Sequence, residues 1–332
     1  MDNRNLDAET IEKEEGYLDQ ALRPSHWEDY IGQKTIKDNL EILIKAAKER
    51  SSPPEHILFY GPPGLGKTTL ANLVAKELNT NIRVTSGPAI MKVGDLAAIL
   101  TNLSDGDVLF IDEIHRLNKM IEEVLYPAME SGKLDIIIGK GPSARTIQLD
   151  LPKFTLIGAT TRVSLLSSPL RSRFSGGVHR LQYYNEEEIS KIVKNSAKIL
   201  NIKITDEASL EIAKRSRFTP RIANYLLKRC RDYAQVNKAI IDIDVVNNTL
   251  TMLEIDEMGL GIAERMLLDT LINVFSEKPV GLNTISASIG EEEGTIEDVI
   301  EPYLLQIGFI ERTTRGRIAT QKGKEHFKCL KK

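Results

Sequence analysis

Cysteine is scarce in this chain of 332 residues, which has only Cys230 and Cys329. Neither cysteine has metal-ligand spacing around it, and two cysteines exclude a disulfide framework and suit a reducing compartment. No apolar run approaches the ~20 residues that a membrane-spanning helix needs. The first residues, MDNRNLDAETIEKEEG, are polar and acidic, the reverse of a signal or transit peptide. We therefore expect a cytoplasmic protein without a membrane segment.

The chain also lacks an excess of basic residues, because its formal net charge is −3. Its hydrophobic fraction of 41% and charged fraction of 27% are those of a globular protein. The length favours two or three domains. Any binding to nucleic acid must therefore come from one local basic patch.

Short apolar runs alternate with amphipathic stretches between about residues 55 and 183. HILFY, DVLFID and FTLIGAT are typical of buried strands, and LANLVAKEL and IEEVLYPAME of the helices between them. This alternation predicts an α/β fold with a parallel sheet. The first domain is expected to cover residues 1–184, of which residues 1–20 are a polar lead-in. DIIIGKGPSARTIQLDL has two β-prone arms around a turn and predicts an inserted hairpin at about 135–149.

The rest of the chain has a different pattern. Four stretches between 185 and 254 show helical spacing and few strand signals, which predicts a small helical domain. Residues 255–332 contain three helical stretches followed by FIERTTRGRIAT, a hairpin pattern around a Thr-Arg-Gly turn. Three helices and a hairpin are the plan of a winged helix.

A complete phosphate-binding motif, GPPGLGKT, runs from Gly61 to Thr68. It follows a predicted strand and precedes a predicted helix, as the P-loop requires. Its glycines let backbone N–H groups surround phosphates, Lys67 places a charge on the β- and γ-phosphates, and Thr68 can bind Mg²⁺. The alternative, a turn without a ligand, does not need every position of the motif to be filled.

An acidic pair follows in LFIDEIHR. Asp112 ends an apolar strand, where a Walker-B aspartate holds the metal, and Glu113 is placed to act as a base for an attacking water. The alternative for Glu113 is a solvated acid at a helix start. His115 is kept outside the site, because a single histidine after a strand is more often structural.

Two later segments are suggestive on their own residues but not decisive. The strand FTLIGATTR ends at Thr160, Thr161 and Arg162, which can contact water or phosphate or simply finish a strand. SPLRSRF predicts a short helix with Ser168 as N-cap and Pro169 at its first position. Arg171 and Arg173 would then point to nearly opposite sides.

GPPGLGKTTLA, LFIDEIHR, GATTR, SPLRSRF and TPRIAN, in this order, are similar to AAA+ ATPases. LRPSHWEDYIGQ, TSGPAI, PAMESGKLDIIIGKGPSARTIQLDLP and ERTTRGR resemble, more closely, the RuvB family of Holliday-junction branch-migration motors. The similarity covers about residues 18–327. It implies an AAA+ P-loop core with a parallel sheet, a helical lid and a C-terminal winged helix. It also implies ATP with Mg²⁺ as cofactors, and ATP hydrolysis that moves duplex DNA without sequence specificity.

The resemblance also implies the site residues. Thr161 matches sensor 1, Arg221 the sensor-2 arginine of the lid, and Arg173 a finger that enters the neighbouring subunit's ATP site, which leaves Arg171 to brace the local fold. Asp112 and Thr68 would hold the metal. The nucleotide contacts implied are Leu22, Arg23, Tyr30, Ile31, Gly64, Gly66, Lys67, Thr68, Thr69 and Tyr184, with Glu130, Ser131 and Gly132 approaching the neighbour's nucleotide.

The predicted winged helix places its positive charge on the wing. Its third helix carries Glu297, Asp298 and Glu301, expected to be at least partly exposed, and these would repel phosphates. Arg312, Arg315 and Arg317 surround the wing turn and can pair with phosphates without reading bases. The alternative is an ordinary solvated hairpin.

Partner contacts follow from the resemblance. Ile136, Ile137 and Ile138 make one arm of the inserted hairpin apolar on both faces, so the arm is either buried in its own domain or covered by another protein. In the family this hairpin docks on the junction-binding protein RuvA. The resemblance further implies a homohexameric ring on Holliday-junction DNA, and a RuvC-like resolvase as a further partner.

Three other functions are weighed against this one. A clamp-loader-like switch would need a collar domain, and a DExH helicase a second RecA-like half. A winged-helix regulator that only senses ATP is disfavoured by the acidic third helix. Two departures from the family pattern stand out: RFSGGVHRL is one residue longer after Phe174, and Phe218 replaces an expected glycine.

Overall fold

The computed structural model describes residues 20–138, 145–276 and 278–330. The chain divides into two compact units, one that ends at Tyr184 and one that begins at Asn185. Within the described residues, no helix is both long and apolar enough to cross a membrane. The polar lead-in was predicted over residues 1–20, and residues 1–19 of it lie outside the described residues.

The first unit contains a parallel sheet with helices, which confirms the α/β prediction. Its strands are β1 (Ile57–Tyr60), β2 (Ile82–Ser86), β3 (Val108–Asp112), β6 (Thr155–Thr160) and β7 (Val178–Arg180). They lie in the order β2–β3–β6–β1–β7, so β6 lies between the P-loop strand β1 and the acidic strand β3. The predicted neighbours β3 and β6 pair from Val108 with Thr155 to Ile111 with Gly158.

Apolar residues at helical spacing hold the helices to this sheet. The first helix buries Ile36, Leu40, Ile44 and Ala47 along one stripe. The core strands β1, β3 and β6 are buried almost throughout, as strands covered on both faces must be. The helices are α1 (Lys34–Glu49), α2 (Lys67–Leu78), α3 (Val93–Thr101), α4 (Lys119–Ser131) and the short α5 (Ser168–Ser172).

The inserted hairpin consists of β4 (Lys133–Ile138) and β5 (Arg145–Asp150), which pair antiparallel from Lys133 with Asp150 to Ile138 with Arg145. It therefore starts and ends slightly outside the predicted range. The turn 139–144 and the side chains of Ile136, Ile137 and Ile138, on which the partner prediction rests, lie outside the described residues.

The second unit begins with the predicted helical region. Three of its helices start with a side-chain cap; for example, Asn185 accepts a hydrogen bond from the Glu188 N–H. These four helices are α6 (Glu186–Ile199), α7 (Asp206–Arg215), α8 (Pro220–Val236) and α9 (Ile243–Met252).

Three helices and an antiparallel hairpin follow in the same unit, as the sequence predicts for a winged helix. A further helix at the end was not predicted. These elements are α10 (Ile262–Asp269, continued by a π-helical turn Thr270–Val274), α11 (Leu282–Ile289), α12 (Glu293–Thr295, the π-helical turn Ile296–Ile300, then Glu301–Gln306), β8 (Ile310–Thr313), β9 (Gly316–Ala319) and α13 (Gln321–Leu330).

Candidate functional site

The P-loop joins β1 to α2 and is built from backbone that favours glycine. Gly61, Gly64 and Gly66 have φ angles of 141°, 79° and 93°. Lys67 is buried, and its Nζ donates to the carbonyl oxygens of Gly61 and Pro62, both at 2.9 Å. Thr68 and Thr69 lie in the first turn of α2. The loop therefore combines a held ammonium, hydroxyls and a helix N-terminus, the donor set that a triphosphate requires.

Two buried tyrosines, Tyr30 and Tyr184, lie against the P-loop at Leu65 and Gly66. The Tyr184 hydroxyl donates to the Tyr30 Oη at 3.1 Å and lies 3.3 Å from the Leu65 carbonyl oxygen. A Cβ on Gly66 would approach the Tyr30 Oη to 3.2 Å. Burial, and then the neighbouring Tyr184, raise the pKa of Tyr30 well above its ordinary value. The Tyr30 hydroxyl thus stays protonated, and the two hydrogen-bonded tyrosines fix the base of the loop.

The segment before α1 also lies against the P-loop helix. The Lys76 Nζ of α2 donates to the Ser25 carbonyl oxygen at 2.5 Å. Leu22 is buried, Arg23 is exposed, and Ile31 is half-buried next to Tyr30. The structure therefore brings the segment that carries these predicted nucleotide contacts to α2, with the Arg23 side chain on the surface.

The acidic pair lies at the carboxyl end of β3, in the sheet next to β6. Glu113 adopts the left-handed conformation, with φ 46°, which is costly for a residue with a side chain. Its N–H donates to Asp112 Oδ1 at 2.9 Å, and its carboxylate accepts from Arg116 at 3.2 Å. Left-handed backbone concentrates at functional sites, so this strain supports a role for Glu113. The sequence did not predict its pairing with Arg116.

The end of β6 separates the two threonines that the sequence left open. Thr160 is buried; its Oγ1 lies 2.9 Å from His115 Nδ1 and accepts the Arg162 N–H at 3.0 Å. Thr161, the predicted sensor, is exposed at the strand end. His115, which was kept outside the predicted site, therefore contacts the buried Thr160 next to the predicted sensor Thr161.

The finger segment differs in two respects from the expectation. Ser167, not Ser168, is the N-cap of α5: it accepts the Leu170 N–H, and Pro169 is the second helical residue. Arg173, not Arg171, makes the local contacts. Its Nη1 donates to the Pro169 carbonyl oxygen at 2.7 Å and its Nη2 to Glu130 Oε2 at 3.0 Å, whereas Arg171 is exposed.

Glu130 belongs to the segment that is predicted to approach the same neighbouring nucleotide. Glu130 and Ser131 are exposed at the end of α4, and Gly132 ends that helix with φ 64°. The Arg173–Glu130 pair therefore joins the two elements predicted to reach across a subunit boundary.

The longer loop after Phe174 is held tightly against β1. The Gly176 N–H donates to the His56 carbonyl oxygen at 2.9 Å, and the Gly177 carbonyl oxygen accepts the Leu58 N–H at 2.9 Å. A Cβ on Gly176 would come within 2.6 Å of the Glu55 carbonyl oxygen. Only glycine fits there, so the extra residue does not loosen the loop.

The second departure, Phe218, also has a defined place. Arg217 and Phe218 have φ angles of 54° and 58°, which explains why glycine would be expected there. The Phe218 ring packs on Tyr303, with ring centroids 6.0 Å apart, and belongs to the edge of the winged-helix core. Arg221 is exposed in the first turn of α8, two residues after Thr219.

The wing is more tightly paired than the sequence suggests. Glu301, expected to be at least partly exposed, is completely buried. It accepts from Arg312 Nη2 at 2.5 Å and from Arg317 Nε at 2.6 Å, while Glu297 accepts from Arg317 Nη2 at 3.0 Å. Burial lowers the pKa of Arg317, but the bonds and charges of Glu301 and Glu297 outweigh it, and the net direction is upward.

Arg315 differs from these two arginines. It lies at the exposed turn between β8 and β9, where its N–H donates to Thr313 Oγ1. The ion pairs of Arg312 and Arg317 leave Arg315 as the main source of uncompensated positive charge on the described wing.

Comparison with known proteins covers all three parts of the chain. Family models match residues 22–181 as the "Holliday junction DNA helicase RuvB P-loop domain", 184–256 as the "RuvB AAA lid domain" and 257–328 as the "RuvB C-terminal winged helix domain". The solved structure of the Thermotoga maritima RuvB Holliday junction branch migration motor shares 50% sequence identity and a TM-score of 0.84, over 93% of this chain and 98% of that one.

Structures of single-residue variants of the Thermotoga protein agree with this result. Two of them share 50% identity over 92% of this chain and 98% of theirs, with TM-scores of 0.85 and 0.84. The match through the P-loop, lid and winged-helix parts disfavours a clamp-loader-like switch, an ATP-sensing regulator and a two-lobed DExH helicase. The chain has the P-loop of an ATPase, binds nucleotide through it, and belongs to the RuvB family of branch-migration motors.

Proposed function

We propose that this protein is the ATP-hydrolysing subunit of a homohexameric ring that pulls duplex DNA through Holliday junctions during recombination and repair. It would act in the cytoplasm, together with a RuvA-like junction-binding protein and a RuvC-like resolvase. The observation that carries the proposal is the presence of all three RuvB parts, with an intact P-loop and acidic pair, in one chain. The proposed parts are 1–184 for the ATPase core, 185–254 for the lid and 255–332 for the DNA-binding head.

The proposed chemistry is in-line attack of water on the γ-phosphate of ATP. Glu113 accepts the proton of that water, and its left-handed backbone determines the direction in which its side chain leaves the main chain. Lys67 neutralises charge on the β- and γ-phosphates, and Thr161 orients the water or the γ-phosphate from the end of β6. Arg221 of the lid adds a second cation to the γ-phosphate.

The donor set fits Mg²⁺, because the Thr68 hydroxyl and the Asp112 carboxylate are hard oxygen ligands. When bound, Mg²⁺ neutralises charge on the phosphate oxygens. Asp112 already accepts the Glu113 N–H on one oxygen, which leaves its other oxygen for such a role. The remaining nucleotide contacts are those that the family resemblance implies, with Tyr30 and Tyr184 supporting the loop.

Arg173 completes the site of a neighbouring subunit in this proposal, and Glu130, Ser131 and Gly132 approach the same nucleotide. Arg312, Arg315 and Arg317 form the DNA-contacting wing. The hairpin β4–β5, through the Ile136–Ile138 arm, docks on the RuvA-like protein. The family resemblance supports each of these roles, and the Arg173–Glu130 contact and the exposure of Arg315 further support those of the finger and of the wing.

The test is a junction assay with a mixing control. A synthetic four-way junction with the RuvA-like protein and ATP should separate into two duplexes, and Lys67→Ala should abolish this. Lys67→Ala and Arg173→Ala subunits, each inactive alone, should regain part of the ATPase when mixed, because each mixed interface can join an intact ATP site to an intact finger. An Arg173→Ala protein that hydrolyses ATP at full rate would disprove the trans finger.

A further inference from the structure

The short helix α5, which carries Arg173, is held at both ends by one side chain of another helix. Tyr126 lies in α4 and is half-buried. At the start of α5, its Oη is 2.8 Å from the Oγ of Ser167. At the end of α5, its ring lies under the Arg173 guanidinium, with 4.6 Å between Cζ and the ring centroid. A helix of five residues has little stability of its own, so its position depends on these contacts together with the burial of Leu170 and Phe174 in the core.

The hydrogen bonds around the Tyr126 hydroxyl form one consistent chain. The Tyr126 O–H donates to Glu122 Oε2 at 3.1 Å, one turn earlier on α4. Its single proton is then used, so the Ser167 hydroxyl is the donor to Tyr126 Oη. The Ser167 Oγ in turn accepts the Leu170 N–H as the N-cap of α5. Each hydroxyl in this series of hydrogen bonds therefore has a partner, and the side chain of Leu170 next to it is completely buried.

The ring contact constrains the guanidinium in a different way. A cation over the face of a tyrosine is attracted by the ring electrons, and the planar guanidinium also stacks on it. Pro169 and Glu130 accept hydrogen bonds from Nη1 and Nη2, so the plane and the two ends of the group are all defined. The Arg173 side chain is 24% exposed, which leaves one part of it accessible from outside the subunit.

We propose that Tyr126 is a positioning residue for the arginine finger: it fixes α5 through Ser167 and holds the Arg173 guanidinium in the orientation needed for the neighbouring ATP site. This inference rests on the trans role of Arg173 in the proposed function. Tyr126 lies outside the P-loop, the acidic pair and the sensor residues, so the inference adds a residue of α4 to those that support the reaction. Tyr126 does not touch its own P-loop in this role, so its loss affects the neighbour's hydrolysis and not its own.

The test uses mixtures in which only one subunit type can hydrolyse ATP. The recipient is Arg173→Ala, with an intact P-loop and no finger. The donor is Lys67→Ala, with an intact finger and a disabled P-loop. In the first arm the donor additionally carries Tyr126→Leu, and in the reciprocal arm the recipient carries it. The rate kcat and the KM for ATP are measured in both arms against the unmodified mixture.

We expect kcat to fall about ten-fold in the donor arm, with little change in KM, since a lost cation–π contact corresponds to this factor. The reciprocal arm should match the unmodified mixture, and its activity shows that Tyr126→Leu subunits fold. Tyr126→Phe donors keep the ring and lose the hydroxyl, so their mixtures should have a kcat between those of the Tyr126→Leu donor arm and the unmodified mixture. A donor-arm kcat equal to that of the unmodified mixture, or equal losses of kcat in both arms, would overturn the inference. An unmodified mixture without ATPase would instead refute the trans finger, and this inference with it.

Discussion

Arg317 donates through Nε to Oε1 of Glu301 at 2.6 Å, and Glu301 has no solvent exposure at all. A carboxylate buried to this extent is tolerated only because Arg317 and Arg312 pair with it. The Arg317 side chain is itself only 14% exposed. This pair connects the last part of α12 to β9, so the wing depends on it for its position.

Arg317→Ala should therefore destabilise the protein by roughly 3 kcal/mol, because it removes one of two partners of a buried charge. Chemical denaturation followed by circular dichroism measures this loss. The double variant Arg317→Ala with Glu301→Leu should recover most of the stability, since no buried charge remains. A single variant as stable as the parent protein would show that Arg312 alone compensates Glu301.

Phe218→Gly should change stability through two opposing contributions. The φ of 58° strains a residue with a side chain by about 1 kcal/mol, which glycine relieves, while the ring contact with Tyr303 is lost. Phe218→Ala loses the same contact and keeps the strain. We expect both variants to be less stable than the parent protein in urea unfolding, with Phe218→Ala about 1 kcal/mol worse than Phe218→Gly. Equal stabilities of the two variants would contradict the strain argument.

The stability of the first unit should depend on the protonation of His56. Its Nε2–H donates to the Met129 carbonyl oxygen at 3.0 Å, and its Nδ1 accepts the Leu156 N–H at 2.9 Å, so the imidazole is held neutral. Burial lowers the pKa of His56, although the Met129 carbonyl and the Glu55 charge oppose this shift. Below a pH of about 6.5 the unfolded chain therefore takes up the proton more readily than the folded one.

The stability contributed by His56 is accordingly complete above pH ~6.5 and is lost as the pH falls toward the folded pKa, by at most about 1.4 kcal/mol per pH unit. The measurement is urea unfolding of the parent protein and of His56→Gln between pH 8 and 5. Burial also lowers the pKa of His179, so the difference between the two proteins isolates His56. Parallel pH curves for the two proteins would refute the assignment.

The sequence placed the P-loop and the acidic pair correctly in their secondary structure because these motifs fix local geometry. A P-loop between a strand and a helix, and the acidic pair at the end of β3, depend on a few neighbouring residues. The edge strand β2 was missed because it is only half-buried and lacks an apolar run, and β7 is only three residues long. The N-cap was placed one residue late because Ser167 and Ser168 are equally suitable by type, and only the fold selects between them.

Contacts between elements could not be predicted from one sequence. The burial of Glu301 depends on how β9 returns beside α12, which no local pattern specifies. Tyr126 and Arg173 are 47 residues apart, and only the packing of α5 on α4 brings them together. The same holds for Gly176 in the loop after Phe174, because the need for glycine is visible only once the Glu55 carbonyl oxygen is placed beside it.

Arg315 should provide the cleanest test of the wing as a DNA contact, because changing Arg317 removes a partner of the buried Glu301 and so affects stability as well. Arg315 is exposed at the turn, and its side chain can be replaced at little cost in stability. Arg315→Ala should weaken binding of the protein to duplex DNA to a similar extent for unrelated sequences. It should also reduce the slope of log K against log salt by about one.

Arg315→Lys is the matched control, since it keeps the charge that sets the salt dependence and removes only the guanidinium fork. It should retain the parent salt slope and most of the affinity. Fluorescence anisotropy with two duplexes of equal length and unrelated sequence, from 50 to 200 mM salt, measures both quantities. A loss confined to one duplex would indicate that Arg315 reads base edges rather than phosphates. An equal loss for Arg315→Lys on both duplexes would show that the contact needs the guanidinium fork and not the charge alone.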